Sequence, residues 1–179
     1  QAGGVFNMSG GEVSGNSAVY GGGIYIPGHN TASTYTSQPA MVNIYGGKLR
    51  DNTATTDGGA ICQRFKPNAP IFIENAEISG NRVQSTATGK GCGGAIYVQV
   101  GGSLTIKDSV IKENISSNGA IYTQGGAPVV LENVQVIDAT GKVVAPGFID
   151  MHAHEDYPEE NFFIFNGNSL VFGYNFKPY

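Results

Sequence analysis

The chain has 179 residues, of which 27 are glycine, 40% are hydrophobic and only 13% are charged. This composition excludes a charged disordered tail, which combines low hydrophobicity with high net charge, and argues against a helical protein, because strong helix formers are scarce. The net charge is −4 without a basic run, so nothing indicates nucleic acid or an anionic membrane surface as a partner. No apolar stretch approaches the roughly 18 residues of a membrane span.

The chain begins Gln1-Ala2-Gly3-Gly4, without an initiator Met or a signal-peptide pattern, so we expect a mature or excised fragment. Its two cysteines, Cys62 and Cys92, allow either a disulfide or two buried thiols and leave the redox compartment open.

Five internal repeats dominate residues 5–139. Each repeat contains a reference apolar residue and a second apolar residue five positions later, and four repeats have an Asn eight positions after the reference. The reference residues are Met8, Ile44, Ile73, Ile106 and Leu131, and the second apolar residues are Val13, Leu49, Ile78, Ile111 and Val136. The asparagines are Asn16, Asn52, Asn81 and Asn114, and the fifth repeat has Ala139 instead. A Gly-Gly-Ala-Ile-Tyr-like motif precedes most repeats.

The alternation inside each repeat has the two-residue period of a strand. Units of 20–40 residues made of short strands and Gly/Asn turns predict a parallel β-solenoid. We expect about five coils with three strands each, in which equivalent residues stack roughly 4.8 Å apart. The aliphatic columns then lie inside, and the asparagines stack at one corner as a structural ladder.

An outward column supports this register. Four positions after each reference residue lie Glu12, Lys48, Glu77, Val110 and Gln135, so the charges alternate in sign between neighbouring coils. Opposite charges across strands stabilise a sheet by a few tenths of a kcal/mol, although chance placement on a solvated face explains the same pattern.

The sequence Gly-Gly-Ala-Ile-Tyr at 93–97, followed by Leu-Thr-Ile-Lys-Asp-Ser-Val-Ile-Lys-Glu-Asn at 104–114, resembles the right-handed parallel β-helix repeats of bacterial surface and secreted proteins. These include polymorphic outer-membrane-protein-like adhesins and the pectate-lyase-like superfamily. The resemblance implies an all-β, right-handed parallel β-helix domain over residues 1–140. It does not choose a function, because the same solenoid carries adhesins, lyases, hydrolases and spacers.

A different segment follows. Residues 136–156 resemble the opening metal motif of amidohydrolases, in which an Asp-x-His-x-His strand contributes two metal ligands. The resemblance implies His152 and His154 as candidate ligands, and residues two apart on a strand point to one face. Only 25 residues follow His154, whereas the family's barrel needs about 250. A structural strand, adventitious metal binding and a working hydrolase all stay open; we expect weak zinc binding and no resident cofactor.

The terminal segment 141–179 combines this strand with an aromatic stretch. Phe163-Ile164-Phe165 and Leu170-Val171-Phe172 flank Asn166-Gly167-Asn168-Ser169, which predicts a hairpin. A hairpin here is expected to cap the last coil, and a protein-binding or self-assembly patch is the alternative.

Catalysis on the outer surface of the solenoid is a further candidate. Tyr25, Tyr97 and Tyr122 are expected to stack on one sheet as candidate sugar-stacking residues, although tyrosines are also ordinary strand formers and Cys62 interrupts the row. The carboxylates Asp51, Glu113 and Asp138 lie on different coils, which favours a solvated corner over a paired acid and base.

The sequence therefore predicts a non-catalytic extracellular or cell-surface structural or adhesive module, part of a larger surface protein or assembly. Its expected partners are other protein subunits or surface glycans, with head-to-tail self-association as a candidate, and no membrane span. The alternatives are a carbohydrate-active β-helix enzyme of lyase or glycosidase type and a metal-dependent amidohydrolase-like remnant.

Overall fold

The computed structural model describes residues 4–27, 40–64, 69–87, 89–137, 162–166 and 169–173, the last two ranges by their backbone alone. Every regular element in these ranges is a β-strand, and none of these residues lies in a helix. Among the same residues, no helix could cross a membrane.

Seventeen strands form four parallel sheets. Sheet A contains β1 (Val5–Met8), β5 (Met41–Ile44), β9 (Ala69–Glu74), β13 (Gly102–Lys107) and β16 (Val129–Glu132). Sheet B contains β2 (Glu12–Ser14), β6 (Gly47–Arg50), β10 (Ala76–Ser79), β14 (Val110–Lys112) and β17 (Gln135–Ile137). Sheet C contains β3 (Ser17–Tyr20), β7 (Thr53–Asp57) and β11 (Arg82–Val83). Sheet D contains β4 (Ile24–Ile26), β8 (Ile61–Gln63), β12 (Ile96–Val98) and β15 (Ile121–Thr123).

The chain visits these sheets in a fixed order, A, B, C and D, and then returns to sheet A beside the strand it used before. Parallel strands that neighbour each other in space but not in sequence are the arrangement of a β-solenoid. The all-parallel sheets and the absence of described helices are consistent with the predicted architecture.

The expectation of three strands in each repeat is wrong, because a fourth short strand follows the Asn corner in the first three repeats. These strands, β3, β7 and β11, form sheet C. In the fourth repeat only an isolated bridge between Arg82 and Ile115 continues this sheet. Strands of two to five residues show too little alternation to be separated from turns by periodicity.

The register within the sheets is the one that the repeat predicts. Met8, Ile44, Ile73, Ile106 and Leu131 are successive partners in sheet A. Val13, Leu49, Ile78, Ile111 and Val136 are successive partners in sheet B. The middle members of both columns are completely buried, whereas Val13, Leu131 and Val136 at the ends are only partly buried. The hydrophobic core therefore runs along the stack.

The predicted hairpin is present as an antiparallel pair, β18 (Phe162–Asn166) and β19 (Ser169–Gly173). Asn166 pairs with Ser169 across the turn. The backbone of β18 lies next to β15, which is the last strand of sheet D among the described residues. The hairpin therefore stands beside the open edge of sheet D.

Candidate functional site

The four asparagines stand in one column after sheet B and are joined by hydrogen bonds. Asn16 donates from its backbone N and from Nδ2 to Oδ1 of Asn52, at 3.1 and 3.0 Å. Asn52 donates in the same way to Oδ1 of Asn81, and Asn81 to Oδ1 of Asn114. Asn52 and Asn81 are completely buried, Asn114 is partly buried, and Asn16 is exposed at the end of the column.

A second set of bonds ties each amide to the preceding repeat. Nδ2 of Asn52, Asn81 and Asn114 donates to the carbonyl oxygens of Val13, Leu49 and Ile78 respectively, each at 2.9 Å. An amide side chain has two N–H donors and two oxygen lone pairs, so Asn52 and Asn81 use their full capacity. All the donors and acceptors of these two amides are bonded within the stack, so none is left to bind a ligand.

The outward column of sheet B carries ion pairs along the stack. Glu12, Lys48, Glu77, Val110 and Gln135 are successive partners. Oε1 of Glu77 lies 3.0 Å from Nζ of Lys112 and its Oε2 lies 3.9 Å from Nζ of Lys48. The pKa of Glu77 is lowered, chiefly because Lys112 hydrogen-bonds its carboxylate. The pKa of Glu12 is likewise lowered by its bond to Arg50.

The tyrosine column of sheet D does not form an open platform. Tyr25, Cys62, Tyr97 and Tyr122 are successive partners, as the repeat predicts. The rings of Tyr97 and Tyr122 stack with centroids 5.7 Å apart and planes at 4°. Tyr97 is only 4% exposed, whereas Tyr25 is 43% exposed. Of these three candidate sugar-stacking residues, Tyr25 has the most accessible ring.

A second column faces the tyrosines across the corner between sheets C and D. It consists of Tyr20, Asp57, Cys92 and Asn118, which are also successive partners. Cys62, Cys92 and Tyr97 pack together as a small buried cluster, with Tyr20 and Tyr122 against it. We call this cluster, with Asp57 and Arg64, the sheet D corner.

Sequence reasoning missed the sheet D corner. A signal was present, because the pairs Tyr20 and Tyr25, Asp57 and Cys62, and Cys92 and Tyr97 are each five residues apart. In each pair, one residue precedes the Gly-Gly turn and the other follows it. When the chain bends at this turn, the two outward side chains of the pair come together.

One cation and one carboxylate organise the sheet D corner. The guanidinium carbon of Arg64 lies 4.4 Å from the centre of the Tyr20 ring, within the range of a cation–π interaction. Nη1 of Arg64 also lies 4.0 Å from Oδ2 of Asp57, and Oδ1 of Asp57 accepts a hydrogen bond from the backbone N of Cys92 at 3.2 Å. Burial raises the pKa of Asp57 in spite of these contacts.

The two cysteines of the sheet D corner are free thiols. Burial is the main cause that raises the pKa of Cys62 and of Cys92, and the nearby Asp57 carboxylate raises both further. Sγ of Cys92 accepts a hydrogen bond from Nδ2 of Asn118 at 3.4 Å. Because thiolates are the reactive form, this environment suits packing and disfavours nucleophilic catalysis.

A glutamine network borders the corner. The hydroxyl of Tyr97 and Nε2 of Gln99 both donate to Oε1 of Gln124, at 2.6 and 2.8 Å. The backbone N of Gln99 donates to Oε1 of Gln63 at 2.7 Å. Oε1 of Gln99 is buried without a hydrogen-bond partner among the described residues. A single ordered water is the simplest group that satisfies such an atom.

The carboxylates on the turns after sheet B do not come together. Asp51 and Glu113 occupy equivalent turn positions, and Gly80 lies between them in the column, as shown by the pairing of the adjoining strands. Within the described ranges, no group of three or more His, Cys, Asp and Glu side chains is placed to hold a metal ion. Asp138, His152 and His154 lie outside the described residues.

The sequence model of the amidohydrolase family, Amidohydro_3, matches residues 135–162. This segment contains the Asp150-Met151-His152-Ala153-His154 motif and excludes the first four repeats. No curated protein and no solved structure matches the chain.

Proposed function

We propose that this chain is a non-catalytic extracellular structural or adhesive module, built as a right-handed β-solenoid of about five coils within a larger surface protein or assembly. The observation that carries the proposal is the asparagine column, in which the interior amides of Asn52 and Asn81 use all their hydrogen-bonding groups on neighbours along the stack. A column of this kind makes a long rigid body, which is what a spacer or a display scaffold requires.

The outward side chains support the same function. On sheet B, charged side chains form ion pairs along the stack. For example, Nε of Arg50 lies 2.8 Å from Oε1 of Glu12. The sheet D corner is filled by its own side chains, with Cys62 completely buried and Tyr97 nearly so. The extracellular placement is supported by the resemblance of the repeats to those of surface and secreted β-helix proteins.

An adhesion assay tests this function. Beads coated with the full chain are offered to a panel of immobilised glycans and extracellular matrix proteins, and the same panel is assayed for cleavage products. We expect retention of the beads without new reducing ends or unsaturated uronates. Beads coated with the Tyr25→Ala variant test the most accessible ring, and Val130→Ala on the outer face of sheet A is the matched control.

Cleavage of any polysaccharide in this assay would overturn the non-catalytic proposal. Absence of adhesion to every surface would remove the adhesive role and leave a structural spacer, which a stiffness measurement by single-molecule pulling then tests.

A second candidate function is favoured by the match of residues 135–162 to the amidohydrolase family. We propose that His152 and His154 bind zinc weakly, without hydrolase turnover, in a remnant of that family's metal motif. Catalytic zinc requires three protein ligands, and the matched segment ends at residue 162, far short of the family's barrel. Binding should fade below about pH 6, because imidazole must be neutral to coordinate and its ordinary pKa is about 6.5.

Isothermal titration with zinc at about pH 7.5 tests this candidate, comparing the chain with a His152→Ala/His154→Ala double variant. His29→Ala is the matched control, because it removes the third histidine. Equal heats from all three proteins would show that the motif does not bind metal, and zinc-dependent hydrolysis of an N-acyl amino acid would show that it is an active site.

A further inference from the structure

The asparagine column has a direction, and its first member is unsaturated. Each interior amide accepts two hydrogen bonds at Oδ1 from the Asn before it and donates one from Nδ2 to a carbonyl of the preceding repeat. Asn16 donates to Asn52, but no described residue donates to its Oδ1 or accepts its second Nδ2 proton. Asn16 therefore presents one donor and one acceptor toward the open end of the stack.

The same end of the stack exposes apolar core. Phe6 belongs to the inward column of sheet A, where it pairs with Val42. Phe6 is 38% exposed, whereas Val42 is 2% exposed. Within the described residues, the strands β1 to β4 each have a partner on one side only. We call the part of this end that belongs to sheets A and B, formed by β1 and β2, the leading face.

The opposite end of sheets A and B continues the same columns. Val129, Leu131 and Val136 stand in register with Phe6, Met8 and Val13 through the intervening strands, and all three are only partly buried. Val136 shares the column of Val13, Leu49 and Ile78, whose carbonyls accept from the asparagine amides. We call this end, formed by β16 and β17, the trailing face. Sheet D is not part of it, because the hairpin strand β18 lies beside β15.

We propose that two copies of this chain stack head to tail, with the leading face of one copy on the trailing face of the next. Nδ2 of Asn16 then donates to the carbonyl of Val136 in the other copy, as Asn52 does to Val13 within the chain. The aliphatic columns of the two copies become continuous, and Phe6 is buried against Val129. This association rests on the proposed structural function and names its partner as a second copy.

The charges at the junction are compatible with this stacking. The outward column ends in Glu12 on the leading face and in Gln135 on the trailing face, so a neutral residue meets a carboxylate. The fit is incomplete at one point, because the fifth repeat has Ala139 where the others have Asn. The backbone of β16 and β17 can pair with the next copy, and the sequence supplies no amide side chain at position 139 for Oδ1 of Asn16.

Sedimentation velocity of the full chain over a concentration series tests the proposal. We expect a mass distribution that grows with concentration, since head-to-tail contacts do not close on themselves. Asn16→Ala should weaken association about tenfold, because it removes a bond to the neighbouring copy.

Two charge variants on the trailing face keep the test independent of folding. Gln135 is exposed and lies beside Val110 within its own chain, so neither change disturbs an internal ion pair. Gln135→Glu should weaken association by placing a carboxylate beside Glu12 of the next copy, and Gln135→Lys should strengthen it, both less at high salt. Thr105→Ala, on the outer face of sheet A in a strand with partners on both sides, is the matched control and should leave association unchanged.

A single monomeric mass at all concentrations would overturn the proposal, as would a closed dimer that Gln135→Glu and Gln135→Lys affect equally. Such a result would leave the proposed function intact, because bead adhesion by isolated copies does not depend on stacking. Retained stacking together with polysaccharide cleavage would instead overturn the proposed function alone.

Discussion

The Oδ1 atom of Asn81 accepts two hydrogen bonds from Asn52, one from the backbone N and one from Nδ2, each 3.0 Å long. Both residues are completely buried. A single side-chain atom thus holds the turn of the neighbouring repeat in place, and three such links run in one direction along the stack.

Replacement of Asn81 with Ala should destabilise the fold by about 2–4 kcal/mol, because it leaves the buried donors of Asn52 and the carbonyl of Leu49 without partners. Asn16→Ala, at the exposed end of the same column, should cost less than about 1 kcal/mol. Urea unfolding of both variants measures the difference. Equal losses would show that the interior links contribute no more than the exposed one.

Ile73→Ala should destabilise the fold by about 2–5 kcal/mol, because it removes a completely buried side chain between Ile44 and Ile106 and leaves a cavity. Val130→Ala is the matched control, since Val130 is an exposed aliphatic residue of the same sheet. Denaturant midpoints at an unchanged slope provide the measurement. A loss below about 1 kcal/mol for Ile73→Ala would contradict its place in the core.

The turn residue before each Asn of the column is held in the left-handed region, at φ 66° for Gly15, 56° for Asp51, 63° for Gly80 and 57° for Glu113. Glu113→Gly should stabilise the fold by about 0.5–1 kcal/mol. The left-handed conformation strains a residue that has a Cβ atom, and the relief of this strain exceeds the extra conformational entropy that glycine loses on folding.

Gly80→Ala is the opposite test and should cost at least about 1 kcal/mol. A Cβ atom at this position would also lie 2.5 Å from Oδ1 of Asp51. Thermal and urea unfolding of both variants measure the two signs. Stabilisation by Gly80→Ala would show that the turn does not require this conformation.

Asp57→Asn should stabilise the fold at neutral pH. Burial raises the pKa of Asp57 above that of the unfolded chain, so this carboxyl binds a proton more readily in the folded state, and its contribution to stability falls as pH rises above about 4. An Asn keeps an oxygen for the backbone N of Cys92 and cannot ionise. In urea unfolding from about pH 4 to pH 7, the free energy of unfolding of Asp57→Asn should therefore rise relative to that of the parent as pH rises.

Asp51→Asn is the matched control for this change, because Asp51 lies on an exposed turn. Its free energy of unfolding at neutral pH should stay within about 0.5 kcal/mol of that of the parent, as is usual for an exposed substitution. A steeper fall with pH in Asp57→Asn than in the parent would contradict the sign of the Asp57 pKa shift.

The repeat in the sequence determined the parallel stacking and its register. An apolar residue followed five positions later by another, and eight positions later by Asn, specifies which face of each strand is buried, since a slip of one residue would turn every side chain to the other face. That is why the partners of Ile73 and Ile78 follow from the alignment of repeats alone. The hairpin of β18 and β19 was equally readable from its Asn-Gly turn.

Only the tertiary structure decided where the outward side chains meet. Sheet C is too short to show a period, and the bend after it brings Asp57 and Cys92 against Cys62 and Tyr97. A contact across a bend depends on the angle between two sheets, which local propensity and periodicity do not encode. For the same reason the sequence indicated a row of tyrosines, whereas the fold buries Tyr97 and leaves Tyr25 accessible.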